Sequence, residues 1–138
     1  MAQLKAPDLL EVMSRANYIP AAASFQLISL VLVYMAGMAF LVLKYPIAGP
    51  FLVIHVYMAA VSVILSLLMN AASARLPDFR IKVLTLLNLA SLLWAAVSGL
   101  FYFGGMAFPI YSLNMAMGFV GSLVTCIASL SYSVRHFS

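Results

Sequence analysis

Residues 51–73 read FLVIHVYMAAVSVILSLLMNAAS, a run without a single Asp, Glu, Lys or Arg. A stretch of this length and character matches the roughly 20 residues an α-helix needs to cross the hydrocarbon core of a bilayer. Working outward, three further apolar stretches appear near residues 22–43, 82–103 and 108–133, and none carries a charged residue away from its ends. The connections between them are short and punctuated: Tyr45-Pro46-Ile47-Ala48-Gly49-Pro50, Arg75-Leu76-Pro77-Asp78, and Gly104-Gly105 running to Pro109. Proline and glycine end helices and pre-set turns, so they belong at such breaks. Connections this short predict antiparallel neighbours. The expected fold is therefore all-α: an integral membrane, four-transmembrane-helix bundle running up-down-up-down, in a single domain of 138 residues.

Composition supports the bilayer. Hydrophobic residues make up 66% of the chain and charged residues 7%, whereas a soluble surface carries about 25–35% charged residues. The net charge of +4 does not indicate nucleic acid. The seven Lys and Arg stand singly at segment ends, as topological anchors do, rather than clustering with aromatics. Lys5, Arg15, Arg75, Arg80, Lys82 and Arg135 fall on one side of the expected topology and Lys44 on the other. The positive-inside rule then places both termini in the cytoplasm, in a multi-pass protein of the cell membrane.

Residues 1–20 differ from the rest. Leu9, Val12 and Met13 recur at helical spacing among Lys5, Asp8, Glu11 and Arg15, the pattern of a short amphipathic helix lying on the inner leaflet. Asp8 and Glu11 stand where a signal peptide would carry a basic and then an apolar region. Pro20 suits the first turn of the following helix. Sliding the chain by about sixty residues pairs Pro50 with Pro109, His55 with Asn114, Met58 with Met117 and Tyr34 with Trp94. Such pairing is what two hairpins related by an axis along the membrane normal would give.

Polar groups at membrane depth cost free energy and so point to function. There is no carboxylate inside a span to couple ion movement, and no cysteine pair, metal-spaced histidine set, Ser/His/Asp set or Gly-rich nucleotide fingerprint. Thiol–disulfide enzymes, intramembrane serine proteases and zinc enzymes are thereby disfavoured, and the sequence leans away from an enzyme without deciding it. The one cysteine, Cys126, lies among Leu123, Val124 and Ile127 and reads as a small core residue. No polar stripe along one helix suggests a channel lining. Gln26, Asn70 and Asn88 read as interhelical hydrogen-bonding residues, and Gly118-x-x-Gly121-Ser122 as a surface for close helix approach. Trp94 sits mid-span, which suits contact with protein better than with lipid.

His55 lies shortly inside the outer end of the second span. It admits three readings: a neutral histidine hydrogen-bonded to Tyr34, Asn114 or a carbonyl; an axial ligand to haem iron; or a contact for quinone. As a cofactor site it would draw on Met58, Tyr34 and Asn114, with His55 the metal ligand. His136, beyond the last span, reads as interfacial.

The segment Pro50-Phe51-Leu52-Val53-Ile54-His55-Val56-Tyr57-Met58-Ala59, with Ser91-Leu92-Leu93-Trp94-Ala95-Ala96-Val97-Ser98-Gly99-Leu100, resembles the histidine-bearing helices of haem A synthase-like membrane proteins and b-type four-helix bundles. The resemblance implies haem held by paired histidines. Asn114 stands where the second histidine would be, and the first half lacks the family's acidic residue, so it implies a structural relative rather than haem A synthesis. Two functions remain. One is a non-catalytic subunit of a larger membrane assembly, with a respiratory complex as candidate setting, packing against other membrane chains or copies of itself. The other is a haem- or quinone-binding redox module centred on His55.

Overall fold

A computed structural model describes residues 18–44, 47–106 and 108–137. Its regular structure is four helices: α1 Tyr18–Val42, α2 Ala48–Ala74, α3 Phe79–Phe103 and α4 Pro109–Phe137. All four are long and apolar enough to cross a membrane, which makes the chain a multi-pass membrane protein. Of the expected interfacial segment 1–20, Tyr18–Pro20 belong to α1, and the rest lies outside the described residues. Helices of 25 to 29 residues extend about 37–44 Å at 1.5 Å per residue. Their ends therefore pass beyond the hydrocarbon core, which is about 30 Å thick.

Local chemistry sets the ends. Asp78, in extended conformation, caps α3 by accepting a 2.8 Å hydrogen bond from the Arg80 amide. Gly105, at φ +106°, turns the chain after α3 in a conformation costly for residues with a Cβ. Pro109 opens α4, where its missing N–H removes no helical bond.

The helices pack in a ring, each against two neighbours, with the α1/α2 and α3/α4 hairpins the most extensive pairs. Paired residues run in opposite directions along every neighbouring pair. His55 meets Val33 while Ser62 meets Ser29; His55 meets Phe103 while Ser73 meets Thr85; Tyr34 meets Phe119 while Cys126 meets Ala23. The α3/α4 seam is the tightest. A Cβ added to Gly118 would sit 2.7 Å from the Ser91 carbonyl oxygen and 2.8 Å from the Ala95 amide nitrogen, so only glycine allows the two backbones this close.

The packing is inside-out relative to a soluble bundle. Phe25, Ile28, Val31, Leu41, Tyr57, Leu100 and Val124 face outward. Among the described residues, eleven buried side chains are polar and twelve apolar, so the interior is nearly as rich in polar side chains as in apolar ones. Lipid tails give apolar side chains no reason to hide, whereas a hydroxyl or amide needs a partner away from water.

The contacts also repeat. Gly37 packs against His55, and Gly99 packs against Met115. Ser73 donates to the Asn70 carbonyl, and Ser133 donates to the Leu130 carbonyl. Asn88 bonds Ser66, and Gln26 bonds Cys126. These pairs superpose when α1 is advanced by 62 residues onto α3 and α2 by 60 onto α4. The two hairpins are thus related by a pseudo-twofold axis along the bundle. The sequence pairing of His55 with Asn114 is one residue out of register, because Met115 occupies the position equivalent to His55.

Candidate functional site

The polar interior centres on residues from all four helices. Asn88 donates through Nδ2 to Gln26 Oε1 at 2.8 Å and to Ser66 Oγ at 3.2 Å. Its Oδ1 accepts from Ser122 Oγ at 2.8 Å and, more weakly, from Gln26 Nε2 at 3.4 Å. Cys126 Sγ lies 3.5 Å from Gln26 Oε1 and 3.4 Å from the Ala23 carbonyl oxygen. Gln26 and Asn88 are pseudo-equivalent, so their amides meet across the pseudo-twofold axis and fill the bundle's centre.

Two smaller clusters flank this hub. Toward one end Ser62 donates to Ser29 at 2.9 Å, and Ser29 donates to the Met58 carbonyl at 2.8 Å. Toward the other, Ser73 and Thr85 share a 2.6 Å hydrogen bond. Polar stripes therefore do run down α2 (Ser62, Ser66, Ser73) and α4 (Ser122, Ser129, Ser133), a correction to the expectation from sequence. They are closed stripes. Among the described residues, no buried side-chain nitrogen or oxygen lacks a partner, and the amide pair plugs the middle. The spacing of four and seven residues between these serines is the signal that marks the stripes. It is faint, because a serine in an apolar run is as readily a small packing residue as a hydrogen-bonding one.

His55 is half-buried at the α1/α2 seam. Its Nδ1 is 2.8 Å from the Val33 carbonyl oxygen. A carbonyl can only accept, so Nδ1 carries the proton of this bond. The ring lies edge-on to Phe103, with centroids 6.4 Å apart, and so close to Gly37 that a Cβ there would be 3.0 Å from Nδ1. Of the three partners the sequence offered, the carbonyl is the one used.

The ring's hydrogen bond goes to Val33 and to none of the other candidate ligands. Tyr34 stacks on Phe119, centroids 6.1 Å apart. Met58 contributes its backbone carbonyl to Ser29 and Ser62. Asn114 is half-buried on α4, one residue before the His55 equivalent. A proton fixed on Nδ1 suits His55 to ligate iron through Nε2, as metal-binding histidines do when the other nitrogen is hydrogen-bonded. Among the described residues no three His, Cys, Asp or Glu side chains gather as a metal site.

Asn70 bonds within its own helix, through its backbone carbonyl. Trp94 is 58% exposed and borders a shallow outward groove with Ala90, Ser91, Met117 and Gly118. At the opposite end from His55, Tyr132 donates to the Asp78 carboxylate and stacks on His136, with centroids 4.1 Å apart. The Tyr132 hydroxyl, followed by the Arg80 amide, holds the Asp78 pKa below the ordinary carboxylate value. Family models, curated proteins and solved structures return no match to this chain.

Proposed function

We propose that this multi-pass protein is a non-catalytic subunit of a larger membrane assembly. The observation carrying the proposal is the contrast between a finished interior and a notched exterior. Inside, the polar side chains bond one another or backbone carbonyls, and among the described residues no buried side-chain nitrogen or oxygen is without a partner. Outside, near the middle of α3, Trp94 projects beside a groove floored by the small residues Ala90, Ser91 and Gly118. Helix association in lipid depends on close packing, and a large rigid ring beside a small-residue floor is suited to receive another transmembrane helix. The proposed setting is a cell membrane with the basic end cytoplasmic, and the family resemblance makes a respiratory assembly the first to examine. A photo-crosslinking residue at position 94, activated in membranes before mild solubilisation, should trap a defined second membrane chain. A sharp monomer free of crosslinks would overturn the proposal.

A second reading has one specific observation behind it, the proton fixed on His55 Nδ1. Under it His55 contacts haem or quinone through Nε2. Oxidised and dithionite-reduced absorption spectra of protein expressed with ample haem, compared with His55→Ala, test it. A band near one equivalent per chain that disappears in the variant would place this reading first.

A further inference from the structure

One end of the bundle collects positive charge. The end of α2, the start of α3 and the end of α4 meet there, through Ser73 with Thr85 and Tyr132 with Asp78. Arg75, Arg80, Lys82 and Arg135 all belong to that end, whereas Lys44 is the Lys or Arg described at the other. Asp78, whose carboxylate accepts from the Tyr132 hydroxyl and the Arg80 amide and lies in the field of Arg80, is the one acidic residue among the described residues of this end, so the balance stays positive by number.

Between α3 and α4 this end is grooved, and Phe79, Arg80, Val83, Leu84 and Tyr132 line the groove. Arg80 lies in the first turn of α3 and is exposed; Val83 and Leu84 lie one turn deeper and are half-buried. A helix of 25 residues spans about 37 Å against a hydrocarbon core of about 30 Å. Its first turn therefore lies at headgroup level and its second among acyl chains. A cation above an apolar trough matches a lipid with an anionic head above its chains. The other hairpin lacks this arrangement: the pseudo-twofold puts Tyr18, Ala21 and Ala72 where Arg80, Val83 and Tyr132 stand.

We propose that this groove binds one anionic phospholipid, its phosphate on Arg80 and an acyl chain along Val83 and Leu84. Basic pockets between membrane helices at headgroup level recognise such lipids. The site is separate from the Trp94 groove and from His55.

The test is native mass spectrometry of the full chain in mild detergent, with phosphatidylglycerol or phosphatidylcholine of identical chains added at equal concentration. Phosphatidylglycerol should be retained in preference, near one equivalent. Arg80→Gln should reduce that preference about five-fold, while Arg80→Lys and Lys44→Gln keep most of it. Val83→Phe should lower phosphatidylglycerol retention by filling the trough. Melting temperatures of all variants should stay close to the parent's, separating lost binding from lost fold. Equal retention of the two lipids, an unchanged preference in Arg80→Gln, or full competition by inorganic phosphate alone would overturn the proposal.

Discussion

The two hairpins are built on one frame and closed in different ways. In α1/α2 the helices are tied by side chains: His55 reaches the Val33 carbonyl, and Ser29 reaches the Met58 carbonyl. In α3/α4 the helices touch almost backbone to backbone, with Gly118 and Gly121 against Ser91 and Ala95. The pseudo-equivalent of Gly118 is Met58, and that of His55 is Met115. Where one hairpin has a glycine the other has a long side chain, and where one has a hydrogen bond the other has a thioether in van der Waals contact. The contact frame tolerates either solution because both keep the Gln26–Asn88 amides in register at the centre.

Substitutions should break the hairpins unequally. Gly118→Leu should be the most damaging, by about 3 kcal/mol or more, because the Ser91 carbonyl and Ala95 amide are backbone and cannot move aside. Met58→Leu, at the equivalent place, should change the detergent melting temperature little. Next comes the hub. Asn88→Leu should destabilise by about 1–3 kcal/mol, since Gln26 and Ser122 lose their partner. Combining it with Gln26→Leu should cost less than the sum, and strict additivity in that double-mutant cycle would sink the shared-axis account. His55→Ala should cost about 1 kcal/mol. Gly37→Ala should destabilise the parent but be nearly neutral beside His55→Ala, because the ring it crowds is gone.

The smallest expected effect is titration of Asp78. Its carboxyl pKa is lowered in the folded protein, first by the Tyr132 hydroxyl and then by the Arg80 amide. A lowered folded pKa favours the fold while the carboxylate is ionised, so this contribution is complete at neutral pH. It should fade as pH falls through the ordinary carboxylate range toward the lowered value. Melting temperature measured from pH 6 downward should show a shallower acid limb in Tyr132→Phe and in Asp78→Asn. Identical limbs would show that the pair contributes nothing.

How far the sequence reveals all this differs by feature. The four spans are legible because uncharged apolar runs near twenty residues long, four of them in a chain with 7% charge, have no place in a water-facing fold. Their ends are less so: α1 is already helical at Tyr18, ahead of residue 22, and α4 is still helical at Phe137, past residue 133. Helices run on into the headgroup region, where polar residues are tolerated and hydropathy falls before the helix stops. Gln26 and Asn88 are recognisable by type, but their pairing depends on helix rotation about the bundle axis, which one sequence does not encode visibly. The repeat is blurred because a single offset near sixty cannot match both helices. From glycine to contact, Gly37 to His55 spans two residues more than Gly99 to Met115. Asp78 and Tyr132, 54 residues apart, share no local pattern at all.

The amide pair at the centre also imposes a schedule on synthesis. Asn88 follows Gln26 by 62 residues. At about 5–20 residues per second, Gln26 is made roughly 3–12 s before the asparagine it pairs with. During that interval Gln26 must be sheltered by the insertion machinery, by water or by neighbouring serines, and the newborn hairpin is unfinished until its second half arrives.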